Sequence, residues 1–165
     1  MKTLKESLLG NTENALSNDY TLVDKEFKQL HKEVSSGRNF NKAYGSSSNR
    51  KHIRLNLPDL LKSLNYNADS IEINLVDFTK TNDYYWVVEI KLFDNGKCVY
   101  NADFYVSAYD NKHKTLSSFA KNFWSVATTD VETFRKFLDN AKNWKENNKT
   151  TYGYKSVLSV QQLIK

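Results

Sequence analysis

From residue 70 onward the hydrophobic residues stop recurring every three to four positions and begin to alternate, and that switch constrains everything around it. SIEINLVDF alternates Ile71, Ile73 and Leu75 with Glu72 and Asn74. YYWVVEIKLF sets Trp86, Val88, Ile90 and Leu92 against Val87, Glu89 and Lys91, and KCVYNADFYV continues with Cys98, Tyr100, Ala102, Phe104 and Val106. Successive side chains of a strand point to opposite faces, so each stretch reads as a strand with one apolar face. Three such faces in a row form a meander that helices must cover.

The turn Asp94-Asn95-Gly96 sets the register of the last two strands. A two-residue Asn-Gly loop places Ile90 opposite Asn101 and Val88 opposite Asp103, which spoils the apolar face. A three-residue loop with Gly96 left-handed pairs Leu92 with Cys98, Ile90 with Tyr100, Val88 with Ala102 and Trp86 with Phe104. The second register is the expected one. It makes Cys98 a small core residue and sets Tyr85 opposite Tyr105, Val87 opposite Asp103, Glu89 opposite Asn101 and Lys91 opposite Val99 on the outer face.

Helical spacing supplies the cover. Val23, Phe27, Leu30 and Val34 predict a helix over 21–36 stopped by Ser36-Gly37, after a polar gap that reaches about Asp19. Leu57, Leu60, Leu61 and Leu64 with Pro58 in the first turn predict a short one. Leu116, Phe119, Ala120, Phe123, Trp124 and Ala127 predict a third. Thr129 and Glu132 stand in capping-box spacing before a fourth, with Val131, Phe134, Leu138 and Ala141 inward and Asn147-Asn148 ending it. SVLSVQQLIK reads as a short helix capped by Ser159, and MKTLKESLLGN as another, with Thr3 and Glu6 as its box and Gly10 as its stop. The expected fold class is α+β: a three-stranded antiparallel β-meander with helices packed on one face, flanked by N- and C-terminal helices. The expected organisation is a short helix and polar linker over 1–19, a helix plus basic Gly/Ser/Asn loop over 20–56, and an α-β-β-β-α-α core over 57–165, forming one globular unit.

Charge is concentrated. The 165 residues carry 24 Lys+Arg against 19 Asp+Glu. Residues 37–55, GRNFNKAYGSSSNRKHIRL, hold Arg38, Lys42, Arg50, Lys51 and Arg54 and no acid, so this segment alone accounts for the net +5. Cations on a conformable backbone suit phosphates, and Phe40 and Tyr44 could stack on unpaired bases. Gly, Ser, Asn and scattered Arg are equally the composition of a solvated connector. A lone Cys98 forms no internal disulfide, which fits a reducing compartment. No apolar run approaches a membrane span and the opening residues lack a secretory h-region, so an intracellular or virion location is expected.

Catalytic and metal motifs are not apparent. Glu72, Glu89 and Asp103 are carboxylates on neighbouring strands, a pattern that serves acid–base or metal chemistry, but no His or Gly-rich loop joins them by motif, and a solvated or partner-covered face is expected. His31, His52 and His113 are scattered, and His113-Lys114-Thr115 is a single tripeptide. No catalytic residue, metal or cofactor is assigned.

Two short resemblances add to this. Met1, Lys2, Thr3 and Glu6, followed by Leu8, resemble the leaders that target internal capsid proteins of tailed bacteriophages into the capsid precursor; a second family acid is missing, since Leu9 and Gly10 stand there. The resemblance implies a phage-encoded, virion-associated structural protein whose docking leader uses Leu4, Glu6 and Leu8. The helix over 57–64, three strands and a helix preceded by Lys112, His113 and Lys114 are similar in order to double-stranded RNA binding domains. That resemblance implies phosphate contacts from Lys112 and Lys114, although TKTNDYY lacks the family's Gly-Pro-x-His contact. The expected function is a non-enzymatic interaction or structural protein with a protein partner or virion assembly. The alternative is nucleic-acid binding by Arg38, Lys42, Arg50, Lys51, Arg54, Lys112 and Lys114.

Overall fold

The computed structural model describes residues 4–5, 7–8, 12–38, 40–42, 50–77, 85–107, 116–150, 153–154 and 157–165. Helix α1 (Thr12–Ser36) is longer at its start than the apolar spacing predicts. Val23, Phe27, Leu30 and Val34 anchor its C-terminal half in the core, and extending an anchored helix costs little per residue, so the polar stretch from Thr12 continues it. It ends at Gly37, whose φ of 76° is left-handed. A Cβ there would meet the Ser117 Cα at 3.2 Å and the Ala120 Cβ at 3.3 Å, so glycine also permits the close approach of the third helix. Before α1, Leu4–Lys5 and Ser7–Leu8 are two short paired strands, not the expected helix.

The meander has a fourth strand. β1 (Arg50–Asn56) is followed by α2 (Pro58–Ser63), β2 (Ser70–Asp77), β3 (Tyr85–Asp94) and β4 (Lys97–Ser107). The sheet runs in the order Asn41–Lys42, β1, β2, β3, β4, Val157–Leu158, with each neighbour antiparallel except Val157–Leu158, which is parallel to β4. The reading of 37–55 as a loop is therefore corrected at Asn41–Lys42 and from Arg50 onward, which are strand. Ile53, Leu55 and Leu57 alternate with His52, Arg54 and Asn56, and Ile53 and Leu55 pair with Ile73 and Ile71 on the covered face. α2 matches its spacing. Pro58 occupies its first turn, Leu60 and Leu61 are buried with the flanking Leu57 and Leu64, and Asn65 leaves it at φ 70°.

The β3–β4 hairpin corrects the expected register. Asp94 pairs with Lys97, so the loop is the two residues Asn95 and Gly96, both at positive φ (53° and 86°), the pattern of a type I′ turn. The faces stay unmixed because the ladder shifts between Leu92 and Phe93. Phe93 pairs with Cys98 and Leu92 with Tyr100, which leaves Val99 as one surplus residue in a β-bulge. The inward pairs are then Leu92–Tyr100, Ile90–Ala102, Val88–Phe104 and Trp86–Val106. Cys98, expected in the core, is exposed on the opposite face beside Val99, which is 46% exposed.

Helices cover one face. α3 passes through Leu116–Phe119, a π-helical turn Ala120–Trp124 and Ser125–Ala127, with the Ser125 N–H donating to the Ala120 carbonyl five residues back. α4 (Val131–Asn148) begins on Asp130 rather than on Thr129. The Asp130 Oδ1 accepts the Thr133 N–H at 2.8 Å, while the Thr129 hydroxyl donates back to the Ser125 carbonyl. α5 (Val160–Leu163) is closed by the expected Ser159 box, with the Ser159 N–H donating to Gln162 Oε1 at 2.7 Å.

Between helices and sheet lies an aromatic core. Trp86 stacks on Phe119 at 4.8 Å, Phe119 on Phe123 at 5.0 Å, and Phe104 meets Phe137 edge-on at 6.0 Å. The same buried cluster takes in Phe27 and Leu30 of α1, Phe40, Ile53 of β1 and Leu163 of α5. Large rings thus supply burial in a chain that is only 39% hydrophobic. Among the described residues no helix is long and apolar enough to cross a membrane.

Candidate functional site

The sheet face opposite the helices carries polar side chains in cross-strand rows. One row runs Arg54, Glu72, Lys91, Asn101; the next runs His52, Asn74, Glu89, Asp103. These residues are fixed to one another. The Arg54 guanidinium lies 4.3 Å from the centroid of the Phe93 ring and reaches the Ser70 hydroxyl at 3.5 Å. The Asn74 amide donates to Glu89 Oε1 at 3.0 Å, and Lys91 Nζ stands 3.9 Å from Glu89 Oε2. With the corrected register Glu89 opposes Asp103, not Asn101, so these two carboxylates stand directly across from each other. Among the described residues no cluster of three or more His, Cys, Asp or Glu side chains is arranged to hold a metal ion.

The cations of residues 37–55 are spread over regular structure, with Lys42 and Lys51 as direct partners where Asn41–Lys42 pairs with β1. Arg54 belongs to the outer face of β1. Lys51 follows the opposite parity, in line with Ile53 and Leu55, and pairs with Leu75. Lys42 and Arg50 lie on the edge strand and at the start of β1. Arg38 is exposed just past α1. Phe40 is only 6% exposed and packs in the core, so it offers no ring face to a base, and its stacking role is withdrawn. Tyr44, Lys112, Lys114 and Glu6 lie outside the described residues, while Leu4 and Leu8 fall in the two short paired strands.

A second polar region was missed by sequence reasoning. Lys25, Lys28 and Lys32 recur at three and four residues along α1 and are exposed; with Gln29, Glu33 and Arg38 they line one surface hollow. Glu26, which stands among them in sequence, is turned away. Its Oε1 accepts the Leu60 N–H at 2.8 Å, and burial lifts its pKa above the ordinary carboxylate range against the opposing pull of that hydrogen bond, with Asp59 adding to the rise.

The remaining titratable contacts read as structural locks. The Thr128 hydroxyl donates to the Trp124 carbonyl, so the Nδ1 of His31, 2.8 Å from that hydroxyl oxygen and 3.1 Å from the Thr128 carbonyl, carries the proton and donates to both. Tyr66 donates to Asp139 Oδ1 at 2.5 Å and Tyr100 to the Leu138 carbonyl at 2.6 Å, tying the segment after α2, and β4, to α4. Burial is the main cause that pushes both phenols well above their ordinary range.

In comparisons with protein-family models, curated proteins and solved structures, nothing matches the chain. The central elements run in the order α2-β2-β3-β4-α3, preceded by β1 paired to β2.

Proposed function

We propose that the protein is a non-enzymatic interaction protein that docks a protein partner on the outer face of its sheet. The observation that supports this is the Arg54–Glu72–Lys91 row beside the Asn74–Glu89–Asp103 row: a broad surface of ordered charges held by strand pairing and by one another. Flat arrays of alternating sign discriminate partners by complementarity and are poor containers for a small substrate. The partner it fits carries cations against Glu72, Glu89 and Asp103 and an acid against Arg54. The opening Met1, Lys2, Thr3 and Glu6 favour a phage particle as the setting, with the leader directing entry and the sheet face making the lasting contact.

The test is sedimentation with particles from cells that produce them. The full chain is expected to travel with particles. The leader deletion (residues 1–10) is expected to lose entry, and the triple change Glu72→Lys, Glu89→Lys, Asp103→Lys to lose retention, with unfolding midpoints checking that the variant is folded. A full chain that stays at the top of the gradient would overturn the reading.

A further inference from the structure

The hollow on α1 is chemically unlike the sheet face. Among the described residues its lining holds four cations, Lys25, Lys28, Lys32 and Arg38, and one carboxylate, Glu33, a sum of +3. Glu33 already accepts a hydrogen bond from the Gln29 amide at 3.2 Å. Lys28 pairs with Asp24 at 3.1 Å, but both side chains are largely exposed (75% and 61%), and such a pair contributes little and exchanges readily. Lys25, Lys32 and Arg38 make no ion pair among the described residues. Two features of the fold concentrate this charge. Glu26 is withdrawn to the Leu60 N–H, and the left-handed Gly37 turns the chain so that Arg38, its N–H donated to the Ser36 hydroxyl at 3.2 Å, closes the end of the lysine row.

Along a helix the spacings of the lysines amount to about 4.5 and 6 Å, close enough for one run of closely spaced negative charges to meet all three. A polymer carrying one charge every few ångströms meets that row; a single small anion meets one or two members of it. Among the described residues no aromatic side chain lines the hollow, and Phe40 is in the core, so those residues offer none of the stacking platforms by which unpaired bases are held. We propose that the α1 hollow binds the phosphodiester backbone of a nucleic acid without reading its bases. This site is separate from the outer sheet face and shares only Arg38 with the 37–55 cations.

The experiment is a titration of the full chain with a mixed-sequence DNA duplex, an RNA duplex and a single strand at 50 and 200 mM salt. Two quadruple variants are compared: Lys25→Gln/Lys28→Gln/Lys32→Gln/Arg38→Gln, and a charge-matched control at the exposed Lys62, Lys97, Lys121 and Lys136, also changed to Gln. Four phosphate contacts give a log–log salt slope of about −3.6 on duplex and about −2.8 on a single strand. The wild type is expected to show those slopes with little preference among sequences. The α1 variant is expected to lose most of its binding and its slope while the control keeps both, and unfolding midpoints of the two variants show whether either is misfolded. Absence of binding by the wild type at 50 mM salt would overturn the proposal. Equal loss in the two variants would overturn it too, because net charge and not the hollow would then be the cause.

Discussion

The two faces of the sheet are made by the same four strands and differ in what each residue is asked to do. On the covered face Val88, Ile90, Leu92, Ala102 and Phe104 are all fully buried, and stability comes from area and close packing. On the outer face Arg54, Asn74, Glu89 and Lys91 remain partly in water and hold one another by contacts that are each weak. Alternate positions one residue apart therefore answer to different rules: substitution inward tests the fold, and substitution outward tests recognition.

The sharpest way to expose that difference is Phe104→Ala. Phe104 is fully buried and meets Phe123, Phe137 and Trp144, so its truncation is expected to cost about 3–5 kcal/mol in urea unfolding. A loss under about 1 kcal/mol would mean that the inner face is not the packed layer described here. Next comes Glu26→Ala, which leaves the Leu60 N–H without its side-chain acceptor and is expected to cost about 1–2 kcal/mol. Because the folded pKa of Glu26 is raised, its protonated form is favoured in the native state, and stability falls as pH rises from the ordinary Glu range to the raised value, then levels. Glu26→Gln keeps an acceptor and is expected to flatten that part of the stability–pH curve; an unchanged curve would break the assignment.

Outward substitutions are expected to be milder. Arg54→Ala removes the stacking on Phe93 and the Ser70 contact, a loss of about 0.5–1 kcal/mol, yet should weaken any partner seated on the face far more. Deleting Val99 has the smallest expected effect, within about 0.5 kcal/mol. It removes the one residue without a partner and leaves Phe93–Cys98, Leu92–Tyr100 and each later pair as they are. A deletion that unfolds the protein would show that the bulge is needed for more than matching turn to strand.

Much of this was legible because apolar spacing is a physical demand. The α2 leucines, the alternation of β2 to β4 and the Ser159 box could be read directly from the residues. Three things could not. The bulge leaves no mark in composition, so the Asn-Gly loop looked incompatible with the apolar face until Val99 absorbed the mismatch. β1 was hidden by its basic residues, although Ile53, Leu55 and Leu57 alternated in plain sight. The α1 hollow was masked because residues 24–33 include Asp24, Glu26 and Glu33 as well as three lysines; in linear order the charges cancel, and only the helix together with the turning away of Glu26 separates them.

The surplus residue at Val99 and the π-helical turn at Ala120–Trp124 are the same device in two kinds of secondary structure, each a place where chain length and alignment come apart. In the language of genetics, Val99 is a silent position of the strand. An insertion a few residues downstream in β4 would throw Phe104 and Val106 onto the wet side of the sheet, whereas loss of Val99 moves none of the pairs beyond it. A lineage carrying this hairpin can therefore lose the residue at 99 in one step without abandoning the layer beneath it, while a residue gained farther along the strand turns that layer outward.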